Sequence, residues 1–148
     1  MSLTIICRSK DYRGGCNAIA AFVPGERTLI GNRDKWESIE MKDAESVVRF
    51  HALVYVAPFD DFCRTKMSLR TRFKGIVTVH EEREARLLES VNSCELLIGV
   101  VAEPKLTDRH EAAAFALADH MDGLVFDGHG IFDVEGDLVL DLDGGVEY

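Results

Sequence analysis

The chain has 148 residues, 47% of them hydrophobic and 29% charged, and a formal net charge of −9. This length and balance suit one domain with its own core, and they exclude a disordered chain and a miniature fold that depends on disulfide or metal staples. No apolar run approaches the roughly 20 residues of a membrane-crossing helix, and the first four residues lack the basic and apolar regions of a secretory signal, so the expectation is a cytoplasmic protein without membrane contact.

In chain order, residues 3–7 are β-rich and read as a strand ending near Arg8, where the polar stretch 9–15 marks a loop. Residues 18–23 and 28–30 flank Pro24-Gly25 and suggest a hairpin. Residues 36–41 give no decisive pattern, and 43–46 could open a helix or form a turn. Residues 51–57 read as a buried, central strand stopped by Pro58. The segment 64–74 alternates. Arg64, Lys66, Arg70, Arg72 and Lys74 fall on one parity and Met67, Leu69 and Phe73 on the other, which is the pattern of a strand with one basic face. Leu69, Phe73 and Ile76 also fit helical spacing, so a helix is the alternative.

Thr78 followed by Glu81 forms a capping box for a helix through about Asn92, whose apolar stripe is Ala85, Leu88 and Val91. Residues 95–101 suit a strand covered on both faces and ended by Pro104. Thr107 can cap a second helix through about Asp122 that is apolar nearly all round between 112 and 118, with Gly123 as its stop. Residues 124–126 form a further strand, and 131–134 and 137–140 flank Glu135-Gly136 as a hairpin. The expected fold is therefore α+β: a single domain over 1–148 with a mixed sheet containing at least one right-handed crossover. Two main helices pack mainly on one face, and a β-hairpin closes the C-terminal end.

Charge is unevenly spread. Up to Arg109 the chain is nearly neutral, and beyond it stand ten acids and no Lys or Arg. Such a region repels nucleic acid and attracts cations over about one Debye length, ~8 Å in physiological salt. Asp133, Glu135, Asp137, Asp141 and Asp143 are candidate binding residues for a cationic protein partner. The basic segment is a second candidate surface, for an anion, for an acidic region of the same chain, or for a second copy in a homodimer; it also suits a solvated face or a guarded sheet edge.

Candidate chemistry is sparse. Asp127-Gly128-His129-Gly130 with Asp133 could present two carboxylates and an imidazole to a metal or act as an acid and base pair, although the same string is ordinary turn chemistry. Asp141 and Asp143 lack the other ligands of a calcium loop. Cys16, after Gly14-Gly15, could be a nucleophile at a short helix start, but spacing identifies no histidine partner. Cys7, Cys16, Cys63 and Cys94 contain no C-x-x-C pair, so they are expected to be reduced thiols without zinc. His120 shares a helix face with Ala113, Ala116 and Leu117 and reads as a core histidine. No phosphate loop or G-x-S-x-G is present, and no cofactor is implied. The leading expectation is a non-enzymatic binding or regulatory domain, inhibitor-like or immunity-like, that uses its acidic end. The alternative is a small metal-assisted hydrolase built on Asp127, His129 and Asp133.

Overall fold

The computed structural model describes residues 2–11, 15–20, 26–31, 35–42, 46–74 and 82–141. Its elements are β1 (Ser2–Cys7), α1 (Gly15–Ala20), β2 (Glu26–Gly31), β3 (Trp36–Lys42), β4 (Val47–Val54), α2 (Asp61–Lys74), α3 (Glu82–Ser93), β5 (Leu96–Glu103), α4 (Asp108–His120), β6 (Gly123–Phe126), β7 (Gly130–Phe132) and β8 (Leu138–Asp141). The strands form one sheet in the order β2-β3-β4-β5-β1-β6-β7-β8. The architecture is α+β.

Every neighbouring pair in this sheet is antiparallel, which corrects the expected mixed sheet. The reason lies in the placement of β1. It sits between β5 and β6 and runs opposite to both, with Ile5 facing Ile98 on one side and Val125 on the other. The strands joined by α4 therefore run in the same direction without touching, as in a split βαβ unit. A helix between two strands signals that the chain returns to the same end of the sheet, and says nothing about which strand fills the gap.

The helices divide between the two faces rather than gathering on one. Leu3, Ile5 and Cys7 of β1 pack with Ile19 of α1 and with Ala113, Ala114, Leu117 and Ala118 of α4. Ile6 points the other way, into a second cluster with Phe62 and Leu69 of α2 and Leu87 and Val91 of α3. Strand alternation explains the split, because consecutive β1 residues face opposite layers. Both layers are apolar enough to need a cover. Truncating a fully buried side chain such as Ile5, Ile98 or Leu117 to Ala should cost about 2–5 kcal/mol.

Several local readings change. Residues 61–74 are helix α2, not a basic strand, because Asp60 caps the first turn by accepting the Cys63 amide at 2.8 Å. Phe62 and Leu69, seven residues apart, then fall on one buried face. Ala18 lies in α1 rather than in a hairpin strand, and residues 21–25 are outside the described residues. Residues 36–42 are a strand, with Trp36, Ile39 and Met41 buried. The strand expected at 51–57 is β4, which starts earlier and leaves Tyr55 and Val56 exposed beyond its end. The Thr78–Glu81 capping box lies outside the described residues, while the helix it was to open runs as α3 to Ser93.

At the end of α4 the left-handed residue is Asp122 (φ 49°), not Gly123. Gly123 instead opens β6, where a Cβ would come within 2.7 Å of the Ile6 carbonyl oxygen. The glycine permits close approach of β6 to β1.

Candidate functional site

The first turn of α4 is built around a histidine. Thr107 caps the helix, its hydroxyl accepting the His110 amide at 3.2 Å, and His110 Nδ1 accepts the Thr107 amide at 3.4 Å. A capping box ordinarily places Glu or Gln at this third position. Here an imidazole does the work, and it is fully buried, with Ser46 Oγ 3.3 Å from the same nitrogen. Helical spacing alone singles out His120 as the core histidine of this helix. The structure places His120 on the exposed side of α4 and His110 inside.

This capped turn forms one wall of a cleft of about 400 Å³ between α4, β1, β6 and the loop joining β7 to β8. Asp108 and Glu111 come from α4, Asp127 from the end of β6, and Glu135 from the β7–β8 loop. The remaining side chains are apolar: Leu3, Ala112, Phe115, Val125, Phe132 and Val134. No Lys, Arg or His among the described residues lines it. Among the described residues, no basic side chain lies within ion-pairing distance of these four carboxylates. Carboxylates in a first turn are favourable beside the positive end of a helix, which accounts for Asp108 and Glu111 locally. Asp127 has a local duty too, because its Oδ1 accepts the His129 and Gly130 amides at 2.8 Å each. Glu135 is exposed at the rim of the cleft.

The residues singled out for metal chemistry are placed differently. Asp133, Glu135 and Asp137 bring carboxylate oxygens within 4.8 Å of one another, and Asp127 and His129 stand outside this group. Asp133 Oδ1 accepts the Glu135 and Asp137 amides at 3.0 Å each, so the carboxylate shapes the β7–β8 turn. His129 is exposed. Cys16 lies half-buried in the six-residue α1, packed against the core beside α4. Asp141 ends β8 half-buried, and Asp143 lies outside the described residues.

The basic residues ride on α2. Arg64 pairs with Asp61, and Lys66 donates to the Cys94 carbonyl at 3.0 Å with its ammonium 5.5 Å from the Phe62 ring centroid. Arg70 is exposed, Arg72 lies 5.6 Å from the Phe126 ring centroid, and Lys74 is the last helical residue. Just before α2, the Asp60 carboxylate also accepts the Val56 and Ala57 amides at 2.7 and 3.2 Å. The Cys63 amide first, and then the Val56 amide, hold its carboxyl well below the usual carboxylate range. The clamped loop carries Phe59 at φ 64° with its ring largely exposed.

Among the described residues, the acids beyond Arg109 are therefore dispersed. Glu111, Asp127 and Glu135 line the cleft, and Asp137 lies in the adjoining loop. Asp133 also lines a second pocket with Arg8, Arg86 and Asp122, and Arg8 approaches Asp122 at 3.7 Å. Asp119 lies towards the far end of α4, and Asp141 ends β8. No local sequence motif joins the cleft, since its walls come from Leu3 and from residues after Lys105. Neither a protein-family model, a curated protein nor a solved structure matches this chain.

Proposed function

We propose that the protein is a binding or regulatory domain that engages a cationic protein partner through the acidic cleft of α4 and the β7–β8 loop, as an inhibitor covers a basic surface. One observation carries the reading: among the described residues, every charged side chain lining the cleft is a carboxylate. Charge of one sign raises the encounter rate with a basic partner and selects against anionic ones. Asp133 and Asp137 place two further carboxylates beside Glu135 on the neighbouring loop.

The test is capture of partners on the immobilised protein at about 50 mM and about 300 mM salt, the higher concentration shortening the Debye length well below its ~8 Å physiological value. A triple variant, Asp108→Asn with Glu111→Gln and Glu135→Gln, is run beside it. The expected result is a basic protein retained by the wild type at low salt, released at high salt, and absent with the triple variant. A set of captured proteins indifferent to both salt and variant overturns the proposal.

A further inference from the structure

Carboxylates on a surface attract any cation, so the chemistry of the walls has to decide which cation the cleft would hold. The polar side chains that line it are Asp108, Glu111, Asp127 and Glu135, and none of these donates a hydrogen bond when ionised. A guest must therefore bring its own donors and a positive charge. The other walls are aliphatic or aromatic. Phe115 of α4 and Phe132 of β7 meet edge-to-face, with ring centroids 6.4 Å apart and planes at 82°, so aromatic surface lies beside the acidic rim. A small hydrated metal ion would leave this surface unused. An organic cation would cover it, with its charge near carboxylates and its body against the rings. At about 400 Å³ the cleft is within the range of small-molecule sites, roughly 300–1,000 Å³.

We infer that the cleft recognises an ammonium or guanidinium group carried on an aromatic or aliphatic body. This rests on the acidic-cleft reading above and narrows it to one ligand chemistry. Two sources offer that chemistry, a free amine and a basic side chain flanked by an apolar residue on a protein. Anions and neutral acceptors are refused, because no lining side chain can donate to them. The N-terminal end of α4 does not reverse this preference: Thr107 takes up the His110 and Glu111 amides, and Asp108 and Glu111 oppose the helix dipole.

The experiment titrates the full chain with phenethylammonium, with its neutral counterpart phenethyl alcohol, and with an end-blocked Phe-Arg dipeptide, following the Phe115 and Phe132 ring signals by NMR. Two variants separate charge from shape. Glu111→Gln with Glu135→Gln keeps the cavity and removes two charges, and Ala112→Leu keeps the charges and fills the cavity. The expected outcome is saturable binding of the ammonium at least about tenfold tighter than the alcohol, reduced at least about tenfold by each variant. Tighter binding of the dipeptide than of the amine assigns the guest to a protein, and the reverse order assigns it to a free amine; both support the inference. Equal binding of alcohol and ammonium, no saturable shift, or binding untouched by Ala112→Leu overturns it. If the wild type and Ala112→Leu capture the same basic protein in a salt-sensitive way, the acidic-surface reading survives while the cleft loses its role. Amine binding without any captured basic protein has the opposite meaning.

Discussion

Replacing His110 with Ala tests whether one buried imidazole organises the start of α4. The substitution removes the acceptor of the Thr107 amide and a partner of Ser46, and leaves a void where a fully buried ring stood. Two hydrogen bonds at about 0.5–1.5 kcal/mol each, together with the cavity, amount to about 3 kcal/mol. At this chain length each kcal/mol shifts the melting temperature by roughly 2–4 °C, so a fall of about 6–12 °C is expected. Urea unfolding followed by circular dichroism should show a lower midpoint with an unchanged slope. His110→Gln can restore the capping bond to the Thr107 amide without the ring's packing, and should recover about 1 kcal/mol. His120→Ala, on the exposed side of the same helix, should stay within about 0.5 kcal/mol of the wild type. A loss below about 1 kcal/mol for His110→Ala, or an equal loss for His120→Ala, would refute the argument.

Two further outcomes follow from ionisation. The Asp60 carboxyl is held below its ordinary value of 3.8 by amides that bond its charged form, so its contribution is present above that pH and is lost as pH falls below it. The stability gap between the wild type and Asp60→Asn should therefore narrow from pH 7 to about pH 2 in parallel urea titrations, and a gap constant with pH contradicts the assignment. Burial first, and then the neighbouring Cys94, push the Cys7 thiol far above its ordinary value. In native protein at about pH 8, N-ethylmaleimide should leave Cys7 unmodified in a peptide map, since only the thiolate reacts. Labelling of Cys7 as fast as in urea-unfolded protein would show that β1 opens on its own.

The parts of the fold legible in the sequence are those where one signal has no rival. Thr107 ahead of an alanine-rich apolar run can hardly be anything but the start of a packed helix, and the run after Glu95 has no polar break until Glu103. The segment 61–74 misleads because five basic residues share a parity by coincidence, while its helix signal is a single upstream side chain. Asp60 lies three residues before the Cys63 amide that it caps, and Pro58 distracts from it by ending the previous strand. His110 is obscure for a different reason: an N3 position predicts Glu or Gln, so a histidine there carries no capping signal. The cleft could not be read at all. Leu3, Asp108, Val125 and Glu135 meet only because β1 inserts between β5 and β6, an event of topology that leaves no trace in spacing.

That insertion also bears on how the chain assembles. Strands β2, β3 and β4 form a ribbon of sequence neighbours, and β6, β7 and β8 form another, so each can zip from its own turns. Strand β1 belongs to neither ribbon. It precedes both its partners in the chain by about 90 residues or more and finds them late, Leu97 opposite Ile6 on one flank and Leu124 on the other. Until then its alternating Leu3, Ile5 and Cys7 are a sticky tape without a wall, and the interval before α4 swings over is when a nascent molecule is most exposed to pairing with the wrong chain.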